Sequence, residues 1–550
     1  MKKRAVLVTF LVLIIMITGC KSNQDIKGDQ NLQEEQKAGA ANVDNGTAKD
    51  NTDSVKLVDE EVLVDQSKEI VLAGTRNIAP GEKDAYYCSS ALMVWEPLIT
   101  KGSDYGPKPK LAASYSANED YTVWTFKLRE GVSFHDGEVF NADAVIANFN
   151  RMKLGKKSSS FYGMDVNRTY PGLLEVNKKD DYTIELVFEN PLPTLDYSMT
   201  DFGSAMFSPN NFDEEGNFNG FPMGTGPFKL TENVLDEYCV IEKNNDYYGE
   251  KALAKRIKIK VIPSPDTRFA ALKAEEVMGV IDLGAIQPVM AMELIKDNRF
   301  GISHTPSTIT HYILLNGNKE PFNDLRLRQA VSLLIDRQLI IDSFYAGLGE
   351  PTVNVLNACT PFYKEFEIEQ DVKKAKELAK EILGDERVKV SFVLRQGELD
   401  RYPNKEEAQL LQAQLSELGI DAEITILESS AWNDVVKAGD FDISLKIKGL
   451  SSAEPNTLFK TMMKTENGLN KRWNFGYSNK EVDTLITDVE NEIDMDKRKE
   501  IYNKIQAYSV NEFPAVPYFN DVNLIAYNKK IEGYEAMYYG VSLEKTKWAD

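Results

Sequence analysis

At 550 residues, with 42% hydrophobic and 10% aromatic side chains, the chain is long enough to bury a large core, and its size suits about two or three domains rather than one. Its 85 acidic and 64 basic residues leave a formal charge of −21, a surface that repels phosphate backbones and anionic lipid. Nucleic acid is therefore excluded as an expected partner.

Lys2, Lys3 and Arg4 precede an apolar run from Ala5 to Ile17, which ends in Thr18-Gly19-Cys20. A basic start, a run shorter than the roughly 20 residues of a membrane-spanning helix, and a small-residue ending make residues 1–19 an export signal. Ile17-Thr18-Gly19-Cys20 resembles the bacterial lipobox, whose cysteine is acylated and becomes the first residue of the mature chain. An uncleaved anchor helix or an ordinary secretory peptide are the alternatives. Acyl chains at about 0.8 kcal/mol per buried methylene would hold Cys20 on the extracellular face of the cell membrane. Residues 20–66 contain no aromatic side chain and are rich in Asp, Glu, Asn, Gln and Lys, so they are read as a disordered tether of about 40 Å reach.

Beyond Lys68 strands and helices alternate. Thr122 to Leu128 places Trp124, Phe126 and Leu128 on one face, a period-two strand, and Tyr182 to Phe188 behaves likewise. After Pro321-Phe322, Asn323 and Asp324 are candidate caps for a helix carrying Leu327, Ala330, Val331, Leu334 and Ile335. Val372, Ala375, Leu378, Ala379 and Ile382 predict a helix ending near Gly384, then a strand through Val388, Val390, Phe392 and Leu394. The unit repeats: Ala408, Leu411, Leu415 and Leu418 lie on a helix stopped by Gly419, and Ile420, Ala422, Ile424 and Ile426 alternate as a strand. Such alternation predicts an α/β lobe with helices covering a sheet.

The search for catalytic groups is negative. Only His135, His304 and His311 exist, without HExxH, GxSxG or a Walker-type loop. Gly224-Thr225-Gly226-Pro227-Phe228 has the look of a phosphate loop, but Pro227 removes a backbone donor, and a tight turn into a strand is the better reading. His135 and Asp136, as neighbours on extended chain, point apart and are read as shaping a turn with Gly137. His304 and His311 have no nearby Cys or His to complete a metal site. No cofactor and no metal are expected. Cys88, Cys239 and Cys359 lack CxxC spacing and allow at most one disulfide.

Several segments carry a family resemblance. Met93 to Leu98, with Trp95-Glu96-Pro97-Leu98, is similar to the VYEPL element of extracellular solute-binding family 5, the oligopeptide/dipeptide/nickel class. Trp124 to Gly137 with Phe140 to Val145, Gly224 to Phe228 with Asn244 to Gly249, Pro321 to Ala330 with Ile335-Asp336-Arg337, and Pro514 to Pro517 resemble further blocks in the same order. The likeness runs from Lys68 to the end. It implies an α/β fold, a periplasmic-binding-protein-like clamshell of type II, cluster C, with mixed sheets and an inserted extra domain. The implied division is lobe I over 67–103, 224–315 and 521–550, a small inserted domain over 104–223, and lobe III over 316–520. It implies a monomeric, non-enzymatic substrate-binding component that closes on a ligand and delivers it to the permease and ATPase subunits of an ABC importer.

The ligand is read as a peptide or peptide-like solute, with nickel or another metal chelate as the alternative, and a secreted hydrolase or sensor on the same scaffold as the distant one. Nickel-type members carry arginines in the small domain and Trp, Tyr and His in the large lobe; the corresponding stretches here are Phe202 to Ala205 and Lys448 to Ala453, which lack them. Oligopeptide-type members place an aspartate just before a Glu-Pro pair to hold the peptide amine. Here Glu454-Pro455 is present with Ser451 near the aspartate's place, so Glu454 or Asp442 would have to serve. The expected ligand-binding residues are Tyr86, Tyr87, Cys88, Leu450, Ser451, Ser452, Ala453 and Glu454. Arg326 and Arg328 are read as structural or solvated rather than ligand-gripping.

Overall fold

The computed structural model describes residues 65–76, 91–154 and 166–549, apart from 283, 368, 451, 467 and 539. The expected export signal, Cys20, most of the tether, Tyr86, Tyr87, Cys88 and Ser451 lie outside the described residues. Gln66, the last residue of the expected tether, already exchanges two hydrogen bonds with the Trp548 backbone, at 2.9 and 3.1 Å.

An eleven-stranded mixed sheet runs through the described residues. Its order is Phe228–Val234, Tyr238–Lys243, Arg256–Val261, Ile70–Gly74, Gly279–Val280, Val516–Asn528, Phe300–Leu315, Ile443–Gly449, Val388–Arg395 and Ile420–Leu427, with Glu350–Pro351 added beside Val516–Asn528. Parallel pairs occur toward each end, where Ile70–Gly74 meets Arg256–Val261 and Val388–Arg395 meets Ile420–Leu427. The middle is antiparallel, formed by Phe300–Leu315 against Val516–Asn528.

These two strands reach every large core of the sheet. Near their outer end Phe300, Leu524 and Ala526 pack with Leu272, Val280 and Leu294, while Ile525 points to the opposite face, against Trp95, Ile257 and Trp548. Farther along, Ile313 and Leu315 pack against Leu327, Val331, Leu411 and Leu415, and Tyr312 and Leu314 enter a separate core with Trp432, Phe459 and Tyr502. Both faces are buried, which is why Tyr312 to Leu315 is an unbroken hydrophobic run instead of alternating. The pairing skips between Pro306 and Thr310, where proline has no N–H to give. Side chains knit the gap: Ser307 Oγ donates to the Asp521 carbonyl at 2.9 Å, and Thr310 Oγ1 to Asn520 Oδ1 at 2.8 Å.

A second, four-stranded antiparallel sheet orders Ala112–Ala117, Val123–Leu128, Thr183–Phe188 and Leu173–Asp180. Trp124, Phe126, Leu128, Ile184, Leu186 and Phe188 form its buried face, and the helix Ala142–Lys153 adds Val145, Phe149 and Met152 to the same core. The period-two reading of both strands holds, each starting one residue later than expected. The fold is thus α/β with mixed sheets.

Helix boundaries follow their caps. Asp324, not Asn323, caps Leu325–Leu334 by accepting from Arg326 N at 2.9 Å; Ile335 falls past its end. Val372–Leu383 stops at Gly384 (φ +67°), and Gly419 (φ +81°) turns the chain from helix Asn404–Ser416 into Ile420–Leu427, left-handed geometry that glycine adopts at least cost. Arg328 donates to the Phe322 carbonyl at 2.7 Å and Arg326 pairs with Asp324 at 2.7 Å, so both arginines serve the fold. Arg337 is buried and donates to the carbonyls of Ser332, Thr352 and Pro517; burial lowers it to about 10.

Beside the interrupted strand pairing, at His311 and Tyr518, sits a buried polar cluster. Glu407 accepts hydrogen bonds from Tyr345 and Tyr518, the latter at 2.6 Å, and His311 stacks on Phe519 with ring centroids 4.1 Å apart. Burial raises the Glu407 carboxyl above its ordinary range, with His311 and the two hydroxyls opposing the shift. A raised carboxyl stabilises the fold below its unfolded pKa, and that stability is lost as pH rises through the folded value. Glu407→Gln therefore melts at or above the wild type, by a margin that widens with rising pH. Glu407→Ala loses about 1–3 kcal/mol by orphaning two hydroxyls, checked by denaturant unfolding at several pH values.

Candidate functional site

Two of the sequence blocks meet backbone to backbone. Gly226 N donates to the Val94 carbonyl at 3.0 Å, and a Cβ on Gly226 would lie 2.2 Å from the Met93 oxygen; one on Gly224 would lie 2.2 Å from the Val94 oxygen. The glycines are there because the segments touch where no side chain fits. His135 locks the turn. Its Nε2 lies 3.0 Å from the Gly226 carbonyl and its Nδ1 accepts from Gly224 N at 3.3 Å, while Asp136 accepts from Ser208 Oγ at 2.6 Å. The two side chains do point to different partners, and Gly137 (φ +89°) makes the turn.

Glu96 is the centre of this junction. Its side chain is 5% exposed, and its carboxylate accepts from Thr225 Oγ1 at 2.8 Å and Tyr247 OH at 2.7 Å and pairs with Lys110 Nζ at 3.0 Å. Glu96 comes from one resemblance block and Thr225 and Tyr247 from the two segments of another, so the two blocks share one hydrogen-bonded centre.

Around it opens a cavity of about 610 Å³, within the range of roughly 300–1,000 Å³ that small-molecule sites occupy. Trp95, Tyr247, Tyr248 and Tyr538 give it aromatic walls, and Lys101, Thr200 and Asp201 bring polar groups from other elements. Asp201 Oδ1 accepts from Gly203 N at 3.0 Å. Lys101 ends the short strand Ile99–Lys101, is 7% exposed, and makes no hydrogen bond among the described residues. Its Nζ lies 5.1 Å from the Tyr538 ring centroid. Burial lowers this ammonium to about 8 against the opposing pull of Cys359 and Asp201. A smaller cavity of about 260 Å³ lies beside the interrupted pairing at Pro306, between His304, Glu350, Cys359 and Asp521.

The expected ligand residues that are described lie behind the large cavity instead of lining it. Leu450 belongs to the core around Trp432 and Phe459, and Ser452 and Ala453 are buried. Ala453 N donates to Thr200 Oγ1 at 2.8 Å, which places the segment one layer from the cavity wall. Glu454 accepts from Tyr502 OH and from Asn456 N at 2.9 Å, and Arg498 lies 3.7 Å away. Asp442 pairs with Lys319 at 2.8 Å and accepts from Ser391 N and Oγ. Both acids proposed for the amine are thus engaged by protein groups. Lys101, Tyr247 and Tyr538 line the cavity and are not among the expected ligand residues; Tyr247 stood in a quoted block, but nothing local marks Lys101.

Among the described residues no group of three His, Cys, Asp or Glu side chains is placed to hold a metal ion, and no helix is long and apolar enough to cross a membrane. His304 is exposed and His311 is buried, 3.3 Å from Asp521. Cys239 and Cys359 are both buried and form no disulfide with each other; Cys88 lies outside the described residues.

The architecture is that of a type II periplasmic binding protein. It is similar to NikA from Brucella suis, solved in complex with Fe(III)-EDTA (TM-score 0.76, 24% identity, covering 88% of this chain and 100% of that one). It also resembles the ABC transporter-associated periplasmic binding protein DppA from Helicobacter pylori in complex with the peptide STSA (TM-score 0.69, 23% identity, 88% and 98% covered). In sequence it is 26% identical over 435 residues to a probable D,D-dipeptide-binding periplasmic protein of Escherichia coli K12, covering 77% of this chain and 81% of the relative. The family model described as bacterial extracellular solute-binding proteins, family 5 Middle, matches residues 106–470. The chain belongs to that family, and like its relatives it is a solute-binding protein and not an enzyme.

The His135 environment has a pH consequence. Burial lowers the imidazole from 6.5 to about 4, and protonating Nδ1 would also set a donor against Gly224 N–H. A depressed pKa gives stability that is complete above about 6.5 and lost as pH falls toward 4. His135→Gln removes this loss, so its melting temperature, measured against wild type from pH 7 down to pH 4, falls less steeply.

Proposed function

We propose that this chain is the substrate-capturing component of an ABC importer, held on the extracellular face of the cell membrane by acyl chains on Cys20, and that it takes peptides or peptide-like solutes into the 610 Å³ cavity. The observation that carries this reading is the wall chemistry: aromatic faces suited to varied side chains, beside hydrogen-bonding groups drawn from several elements. The ligand goes in and comes out unaltered, and the permease and ATPase subunits receive it from a monomer.

The division into lobe I, an inserted small domain and lobe III belongs to the same proposal. Support comes from the separate core beneath the four-stranded sheet and from the interrupted pairing between Pro306 and Thr310, the place where the two long strands pass from one set of cores to the other. Bending there would close the lobes, driven by the ligand's preference for the closed form.

Calorimetry with di- to hexapeptides, and with nickel in the presence and absence of histidine, tests the ligand class. One-to-one binding of peptides that are recovered intact is the expected result. Binding of nickel with histidine but of no peptide would move the ligand to metal chelates, and cleaved peptides would make the protein a hydrolase. For the anchor, Cys20→Ala is expected to shift the protein from the membrane fraction to the medium; continued membrane association of that variant would refute acylation.

A further inference from the structure

Lys101 is the cationic group of the large cavity wall that lacks a hydrogen-bond partner among the described residues; Glu544, on the same wall, accepts from Ser542 Oγ at 3.1 Å through Oε1 while its Oε2 is buried without a partner. Glu96 is satisfied by Thr225, Tyr247 and Lys110. Arg129 donates to the Lys110 carbonyl. Lys101 is more than nine-tenths buried, lines the cavity, and has no hydrogen-bond partner among the described residues. Asp201 and Cys359 bear on it electrostatically, yet neither accepts from it, and Asp201 is occupied in capping the turn at Gly203. A buried ammonium without a partner is costly, and a fold retains one where something else completes it.

We propose that Lys101 is the anion anchor of the binding site and receives a carboxylate of the ligand. The assignment rests on the solute-binding reading of the cavity and narrows its cargo to carboxylate-bearing molecules. A peptide's C-terminal carboxylate and the carboxylates of a metal chelate share this chemistry. The aromatic ring of Tyr538 closes one side of the ammonium and leaves the cavity side for the incoming oxygen. An ammonium and a carboxylate brought together out of water make a strong, directional contact, and the ligand thereby supplies the charge that the described residues do not.

The pH dependence follows from the same geometry. The groups that face Lys101 are Asp201, Cys359 and Tyr538, with Tyr105 behind Cys359 and Glu250 and Glu544 on the remaining wall. Before ligand binds, the ammonium loses its proton near 8, so carboxylate affinity weakens as pH rises above about 8. A carboxylate in place raises the lysine again.

Lys101→Met keeps the length of the side chain and removes its charge. Titrations of the wild type and this variant would use free-acid di- to hexapeptides, the same peptides amidated at the C-terminus, nickel with histidine, and ferric EDTA. For a free-acid peptide the variant is expected to bind at least about tenfold more weakly, amidation is expected to cost the wild type a similar factor, and the two losses are expected not to add. The variant is also expected to melt no lower than the wild type, which separates lost recognition from lost folding, and its affinity is expected to stay flat from pH 7 to pH 9. If only the carboxylate chelates bind, and bind more weakly to the variant, the peptide reading fails while the Lys101 assignment stands. If free-acid peptides bind the variant as tightly as the wild type, the assignment fails while the peptide reading stands. Should no carboxylate compound in the panel bind the wild type, the assignment is overturned.

Discussion

The structure depends most on one antiparallel pair, Phe300–Leu315 against Val516–Asn528. Most of the helices and strands pack against a sheet to which these two strands are central, and the pair contributes side chains to cores on both faces and toward both ends. The ladder between the two strands is interrupted between Pro306 and Thr310. Pro306 enforces the interruption, since it cannot donate, and Ser307 and Thr310 hold the gap through side-chain bonds that are easier to remake than a ladder.

The cavity is framed by a second constraint, the close approach of Met93–Trp95 to Gly224–Gly226. Absent side chains let two backbones bond directly, and the carboxylate of Glu96 then becomes the shared acceptor for Thr225, Tyr247 and Lys110. Because that carboxylate is fully used by the protein, it shapes the wall without competing for ligand. Buried Arg337 and Glu407 do comparable work near the interrupted pairing, each satisfied by backbone carbonyls or tyrosine hydroxyls. The cavity wall therefore sets Glu96, whose carboxylate is bonded by the protein, against Lys101, whose ammonium has no hydrogen-bond partner among the described residues.

Much of the secondary structure was legible because periodicity and caps are local. Trp124, Phe126 and Leu128 alternate into a core; Asp324 caps; Gly384 and Gly419 terminate. The site was less so. The resemblance placed ligand groups at Leu450 to Glu454; of these, Leu450 and Ala453 are buried in the core and Glu454 is held by Tyr502 beside Arg498, and none of the described ones lines the large cavity. Which side of a segment faces a cavity depends on residues hundreds of positions away, as the contact of Ala453 N with Thr200 illustrates.

The sequence by itself determined the α/β character, the positions of strands, caps and turns, and the identity of the family, since each is written in short-range patterns of polarity, glycine and proline. Only the tertiary structure decided which charges are spent and which remain available. Lys101 is one lysine among many until Tyr538 covers it and no acid among the described residues hydrogen-bonds to it; desolvation is a property of the assembled surroundings, and no stretch of sequence encodes it alone.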